Sequence, residues 1–150
     1  MFRRFTSFLC IIFFLCVHSR GDNVLTKFHL NGTLSCITNA GFRVPFVVWT
    51  LGIWEEDAIS DDHLGDVYHF ILTDAGAFYK TVVQDDGDGL GEPFYELFYK
   101  ITHNCNIRGE KRESKVCLKK FHVENGDYYH LRNINLFTLA QDEVKCNVFN

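Results

Sequence analysis

The sequence predicts an all-β protein, a single antiparallel β-sandwich of about seven or eight short strands. Apolar and polar residues alternate with a period of two through most of the chain, and no segment sustains the helical period. Clusters of Gly, Asn and Asp separate the alternating segments and are typical of turns. Short strands without intervening helices favour two packed antiparallel sheets over an α/β fold.

The first strand is predicted between Val24 and Cys36. Its even-numbered residues include Phe28, Leu30 and Leu34. The odd-numbered residues from 27 to 35 are all polar. Successive side chains of a strand point to opposite faces, so this pattern predicts a half-buried strand. Cys36 then lies on the core side.

The remaining strands follow the same rule. They are predicted at residues 46–54, 66–73, 77–83, 95–105, 115–123 and 130–139. Turns are predicted at residues 74–76 and 124–127, and the glycine-rich acidic stretch 85–93 is predicted to be a loop. The inward face of the most regular strand ends with His103 and Cys105.

The N-terminus has the pattern of a secretory signal peptide. Arg3 and Arg4 precede an apolar run over residues 5–17, and short or polar residues follow it. This run is shorter than the roughly 18 to 20 apolar residues that cross a bilayer. We therefore predict a signal peptide at residues 1–19 and one domain at residues 20–150.

The mature chain is predicted to be secreted, extracellular and not membrane-spanning, and an association with the cell surface stays open. Without Arg3 and Arg4 the chain has 13 basic and 19 acidic residues, a net charge of −6. This balance argues against general binding to nucleic acid or to anionic membranes.

The cysteines predict two disulfides. Two of the six cysteines lie in the predicted signal peptide, which leaves an even number in an oxidising compartment. Four cysteines allow three pairings. We favour Cys105 with Cys117, because Cys105 ends a strand and the residues between the two have the composition of a turn. That pairing leaves Cys36 with Cys146.

His103 and Cys105 allow three interpretations, since residues two apart on a strand share a face. A structural zinc site needs four ligands, and no further Cys or His stands at ligand spacing. A catalytic Cys–His pair needs a free thiolate, which an oxidising compartment disfavours. We therefore favour a strand that ends in a disulfide, and we predict no metal ligand, no catalytic residue and no cofactor.

The acidic loops raise the question of calcium. With Asp86 at the first position of a calcium loop, Asp88 falls at the third, but Leu90 and Leu97 occupy positions that need oxygen ligands. A solvated acidic loop is the favoured interpretation here and at residues 55–62. Weak calcium binding between the two loops stays open.

The sequence Asn31-Gly32-Thr33 is a sequon for N-linked glycosylation. Asn31 falls on the polar face of the first strand. We therefore predict a glycan at Asn31.

Some apolar residues exceed what one core needs, and such surplus often marks an interaction surface. Their simplest alternative is cover by neighbouring loops. The predicted patch consists of Phe46, Val48, Trp54, Phe94 and Phe98. Its partner is an extracellular protein, a small apolar or lipid ligand, or a second copy of the chain.

Four short motifs follow one another along the chain: Gly32–Cys36, LGIWEED at 51–57, Thr73–Phe78 and ITHNC at 101–105. In order and spacing they resemble the transthyretin-like proteins of nematodes. The resemblance covers most of the mature chain. It implies a transthyretin-like, or prealbumin-like, sandwich of two sheets, secretion and no cofactor.

The enzymatic relatives of transthyretin hydrolyse 5-hydroxyisourate with histidines, an arginine and a C-terminal Tyr-Arg-Gly-Ser-type sequence. This chain ends in KCNVFN, so that part of the resemblance fails. We therefore expect a non-enzymatic binding module, a carrier or a bridging protein. The alternatives are a self-associating structural protein and a metal- or histidine-dependent hydrolase. A hydrolase would bring together some of His29, His63, His69, His103, His122 and His130.

Overall fold

The structure is a computed structural model that describes residues 25–57, 59–86, 93–139 and 146. The predicted signal peptide at residues 1–19 lies outside these ranges, as do residues 87–92 of the predicted acidic loop. The described residues form strands and one short 3₁₀ helix, without any α-helix. The prediction of an all-β protein is confirmed.

Eleven strands are present in the described part of the chain, three of them only two residues long. In order they are β1 (Thr26–Ser35), β2 (Val48–Glu55), β3 (Asp62–Asp66), β4 (Phe70–Thr73), β5 (Gly76–Asp85), β6 (Phe94–Tyr95), β7 (Leu97–His103), β8 (Arg112–Cys117), β9 (Phe121–His122), β10 (Gly126–Leu131) and β11 (Ile134–Asn135), before the 3₁₀ helix Leu136–Thr138.

Most of these strands belong to two sheets. The five-stranded sheet has the order β10–β1–β5–β4, with β11 paired to the end of β1. The four-stranded sheet has the order β3–β2–β7–β8, and β6 pairs with β9 in a small two-stranded sheet.

The pairing of β1 departs from a purely antiparallel fold. β1 is antiparallel to β5, but it is parallel to β10 and to β11. Between β1 and β10 the chain passes through the four-stranded sheet and the small sheet. A parallel pairing needs such a crossover, because a tight hairpin can join only antiparallel strands.

The predicted strand at 66–73 is in fact two strands in different sheets. β3 ends at Asp66 as a partner of β2, and β4 starts at Phe70 as a partner of β5. Between them, the N–H of Val67 donates to the carbonyl of Leu51 over 2.9 Å. Residues 67–69 contain no Gly, Pro, Asn or Asp, so the sequence has no turn signal at the crossing.

The inner faces of the two sheets contribute to one hydrophobic cluster. The described inward positions of β1 and of the segment 95–105 are all buried, as their alternation predicts. Phe28 lies near the middle of an aromatic group and meets Tyr95 and Phe121 edge-on, with ring centroids 5.2 Å apart in each pair. These rings connect the five-stranded sheet to the small sheet.

The disulfides join Cys36 to Cys105 and Cys117 to Cys146. The predicted pairing of Cys105 with Cys117, and of Cys36 with Cys146, is therefore wrong. β7 and β8 form a hairpin in which Cys117 lies opposite Phe98, at the end far from Cys105. Cys36 and Cys105 instead follow the ends of β1 and β7, so their bond links the two large sheets.

Candidate binding groove

An apolar groove lies between the chain that follows β1 and the hairpin formed by β4 and β5. Its volume is about 610 Å³. Its apolar lining includes Ile37, Val44, Pro45, Phe46, Val48, Phe70, Leu72 and Ala77. Pockets of roughly 300 to 1,000 Å³ hold drug-sized molecules. The groove therefore has the size and the lining of a site for a small apolar ligand.

The first wall is the segment between β1 and β2, which is held by hydrogen bonds. Ile37 and Arg43 form an antiparallel bridge, and the N–H of Val44 donates to the carbonyl of Cys36 over 2.9 Å. The side chain of Asn135 accepts from the N–H of Ile37 over 2.9 Å and donates to its carbonyl over 2.7 Å. These bonds satisfy backbone groups that an extended loop would leave to water.

The second wall is the hairpin of β4 and β5. Its turn matches the prediction at 74–76: the Thr73 hydroxyl accepts from the N–H of Ala75 over 3.2 Å and donates to the carbonyl of Gly76 over 3.1 Å. Gly76 has φ +139°, and a Cβ there would collide with the carbonyl of Leu34. Only glycine suits both conditions.

The hairpin presents two apolar side chains to the groove. Phe70 and Leu72 lie opposite Tyr79 and Ala77, which face the core, so both project from the inner side of the sheet. Phe70 is partly buried, whereas Leu72 is 84% exposed at the mouth. β4 has one strand partner within the described residues, and Leu72 therefore stands at an open edge of the sheet.

The charges of the lining lie on Arg43 and Asp74, one on each wall. Ser35 and Thr73 add hydroxyl groups. An apolar cavity with a few polar groups can both bind an apolar body and orient a polar end.

The five residues of the predicted patch do not form one surface. Phe46 and Val48 line the groove. Trp54 stacks on Phe98 with ring centroids 6.4 Å apart, and Phe94 lies in the small sheet. The prediction was wrong for Phe98, because only 1% of its surface is exposed.

Phe98 is buried because Lys115 and the second disulfide lie around it. The Lys115 ammonium lies 3.9 Å from the Phe98 ring centroid and 2.8 Å from Glu56 Oε1. The other Glu56 oxygen accepts from the N–H of Cys146 over 2.6 Å. Cys146 is in turn bonded to Cys117, the cross-strand neighbour of Phe98.

Most of the groove was not predicted from the sequence. Its best local signal is the stretch 42–48, apolar except for Arg43, which Pro45 prevents from continuing as a regular inner strand. Phe70 and Leu72 carry no such signal, because their exposure depends on which strand lies at the edge of the sheet.

His103 has a structural environment. Its Nδ1 accepts from the N–H of Cys105 over 3.1 Å, so the ring proton lies on Nε2 and is donated to the Ser114 hydroxyl over 3.1 Å. Burial, and then the charge of Arg112, lower the pKa of His103 to about 4. The favoured interpretation, a strand that ends in a disulfide, is confirmed, with Cys36 as the partner.

The other described histidines do not converge with it. His29 and His130 border one shallow concavity, but His130 is paired with the core residue Leu30, so the two rings leave opposite faces of the sheet. His29 contacts Asp127, with 3.3 Å between Nε2 and Oδ1. His63 lies in the same sheet as His103, but it pairs with Trp54, whose partner Phe98 is at the end of β7 far from His103.

The acidic loops approach each other. The pKa of Asp57 is raised, first by burial and then by the negative charges of Asp62 and Asp85. Among the described residues, however, no group of three or more His, Cys, Asp and Glu side chains is arranged to hold a metal ion.

Comparisons with protein-family models, with curated proteins and with solved structures find no match. In the part of the chain that the structure describes, no helix has the length and apolar content that a membrane span requires. The groove is therefore the feature from which a function is best inferred, since a fold by itself does not define one.

Proposed function

We propose that this chain is a secreted, non-enzymatic β-sandwich of the transthyretin-like class that carries a small apolar or lipid ligand in the groove. The single observation behind this proposal is the groove itself, about 610 Å³ in volume and apolar over most of its lining. The two sheets with their shared core support the sandwich architecture.

The disulfides support an extracellular location. Cys36–Cys105 and Cys117–Cys146 use all four cysteines outside the predicted signal peptide. Disulfides of this kind persist in oxidising compartments and are rare in the cytosol. The apolar run at residues 5–17 supports the same location.

The environment of His103 and Cys105 supports binding over chemistry. Cys105 is oxidised, and both ring nitrogens of His103 are engaged in hydrogen bonds. A general base needs access to the proton that it removes, which the buried His103 lacks.

Binding of an uncharged fluorescent fatty-acid analogue, a methyl ester, to the purified full-length secreted protein tests the proposal. We expect saturable binding that Leu72→Lys weakens by about tenfold, because a charge at the mouth of an apolar site opposes entry of the ligand. Leu72 is exposed, so the variant should keep its fold. The measurement is a fluorescence titration together with thermal unfolding.

The matched control is Ile107→Lys, since Ile107 is 91% exposed and does not line the groove. The control should bind the analogue as the wild type does. Equal binding by all three proteins, or no binding by the wild type, would reject the groove as the site.

A second candidate function, structural self-association, is favoured by one observation. β4 is an open edge strand whose Ile71 and Leu72 are exposed and which carries no charge or proline. Such an edge can pair with a strand of another molecule. Sedimentation of the wild type and of Leu72→Lys distinguishes the two functions, because only self-association requires a concentration-dependent oligomer that the lysine disrupts.

A further inference from the structure

The outer face of the five-stranded sheet exposes a group of apolar side chains. Val82 on β5 is 50% exposed, Ile71 on β4 is 63% exposed, and on β10 Tyr129 and Leu131 are 71% and 64% exposed. Val82, Tyr129 and Leu131 are direct cross-strand partners of outward residues of β1. Ile71 is linked to such a residue through its partner on β5. Apolar surface gathered on one face usually has a partner that covers it.

Asn31 lies in the middle of this face. Its cross-strand partners are Lys80 on β5 and Leu131 on β10. Its diagonal neighbours include Val82 and Tyr129, at separations of about 7 to 8 Å that a bulky group on Asn31 can span. The side-chain amide of Asn31 makes no hydrogen bond within the described residues, so its nitrogen is available.

The surface around Asn31 is concave and partly aromatic. A depression of about 330 Å³ is bordered by Asn31, His29, Lys80, Tyr129 and Leu131, among others. The His29 and Tyr129 rings stack in it, with centroids 4.4 Å apart and planes within 11°. Flat aromatic rings offer a surface on which the C–H groups of a sugar can pack, and their polar edges can hydrogen-bond its hydroxyls.

We propose that an N-linked glycan on Asn31 folds back onto the outer face of the five-stranded sheet and covers Val82, Tyr129 and Leu131. The sequon supplies the attachment point, and the depression accommodates the first sugars. The glycan then does more than solubilise the chain: it occupies a face that would otherwise attract another molecule. This inference rests on secretion, which is one part of the proposed function, but it is independent of the groove.

The first experiment asks whether the glycan is present. The full-length protein is secreted from a eukaryotic host, and its intact mass is measured before and after treatment with peptide-N-glycosidase under native conditions. We expect a glycan at Asn31 in the wild type and in Thr33→Ser, which retains the sequon, and none in Asn31→Gln or Thr33→Ala. An unmodified Asn31 in the secreted wild type would overturn the proposal.

The second experiment asks whether the glycan covers the face. Hydroxyl-radical footprinting compares the native glycoprotein with the already folded protein after peptide-N-glycosidase has released the glycan and converted the Asn31 amide to a carboxylate, so that neither sample depends on a variant that must fold. We expect oxidation of Tyr129 to be at least halved by the glycan, because the sugars shield it from solvent. Tyr68 is the matched control, since it is 80% exposed and lies outside this face. Equal oxidation of Tyr129 in both forms would overturn the covering role.

The outcomes separate this inference from the proposed function. A wild-type protein that stays in the cytosol would refute secretion, and the glycan with it. A secreted protein that lacks the glycan refutes only the inference, and a glycoprotein that fails to bind the fatty-acid analogue refutes only the function of the groove. If deglycosylation also produces a dimer, the exposed face attracts a second copy, as expected for a surface that the glycan normally covers.

Discussion

His103 shows how a reactive side chain can become part of the scaffold. The backbone N–H of Cys105 fixes its tautomer, and the hydroxyl of Ser114 accepts its remaining proton. Protonation would add a charge inside the core and would remove the acceptor at Nδ1. The folded state therefore favours the neutral ring, whereas the unfolded chain binds a proton more readily.

This assignment leads to a pH dependence of stability. The folded-state pKa of about 4 lies below the ordinary value of 6.5, so the unfolded chain binds the proton more tightly. The stabilisation is complete above pH 6.5 and is lost as the pH falls towards 4. It amounts to at most about 3 kcal/mol. Urea unfolding of the wild type and of His103→Gln between these pH values measures it.

The variant should show a shallower decline in stability than the wild type across that range. The partly buried His130, whose pKa is also lowered, remains in both proteins and so cancels in the comparison. His69→Gln is the control, because its side chain is exposed and should not alter the slope. Parallel pH profiles for the wild type and His103→Gln would contradict the assignment.

Burial at the level of the residue could be predicted from the sequence where the alternation was regular. In β1 and β7 the period of two placed each described side chain on the correct face, since one face of each strand packs on a single core. Phe98 escaped this rule, because its outward face is covered by Lys115 from β8 and by the disulfide of Cys146. Local sequence carries no signal for such cover.

At the scale of the element, β1 is the centre of its sheet and has neighbours on both sides. At Gly32, the carbonyl of Arg132 approaches so closely that a Cβ would collide with it. That carbonyl accepts from the Tyr79 hydroxyl over 2.8 Å, and the N–H of Arg132 donates to Asn31 over 2.8 Å. These two contacts of Arg132, one of them with the backbone carbonyl of Asn31, hold the end of β10 against β1.

Gly32→Ala should therefore destabilise the fold by roughly 2 kcal/mol or more, since overpacking forces the backbone to shift. Gly109→Ala is the comparison: it has open space around it, but its φ of +66° is unfavourable for alanine. That variant should lose only about 1 kcal/mol. Chemical unfolding ranks the two, and an equal or smaller loss at Gly32 would show that β10 moves away readily. The sequon is intact in both variants.

The elements themselves were predicted unevenly. The hairpin turn at 74–76 was correct because Thr73, Asp74 and Gly76 are local determinants of a turn. The crossing from β3 to β4 was missed, since residues 67–69 include no Gly, Pro, Asn or Asp that would indicate a turn. The groove depends on that crossing, because it brings Phe70 and Leu72 to the edge of the other sheet.

At the scale of the molecule, the two disulfides have different roles. Cys36–Cys105 links the two large sheets and is almost fully buried, whereas Cys117–Cys146 attaches Cys146 to the end of β8. The predicted pairing failed because the chain order of cysteines does not tell which strand ends meet. Turn composition favoured a neighbouring pair, but the β7–β8 hairpin puts Cys105 and Cys117 at opposite ends.

Removal of each bond should have unequal effects. The bonds close separations of 69 and 29 residues. By restricting the unfolded chain they should contribute about 4.4 and about 3.6 kcal/mol, respectively. Cys36→Ala with Cys105→Ala should cost more than Cys117→Ala with Cys146→Ala, because it also leaves unfilled space in the core. Urea unfolding measures both losses.

A peptide map without reduction should link Cys36 to Cys105 and Cys117 to Cys146 in the wild type. A peptide that links Cys105 to Cys117 would contradict the arrangement of β7 and β8.

The bond between Cys36 and Cys105 has a consequence for the kinetics of any ligand in the groove. Cys36 belongs to the lining, so one wall is covalently attached to the opposite sheet and keeps its place whether the groove is filled or empty. Little conformational entropy is then lost on association. We expect ligands of different affinity to enter at similar rates and to differ mainly in how long they stay.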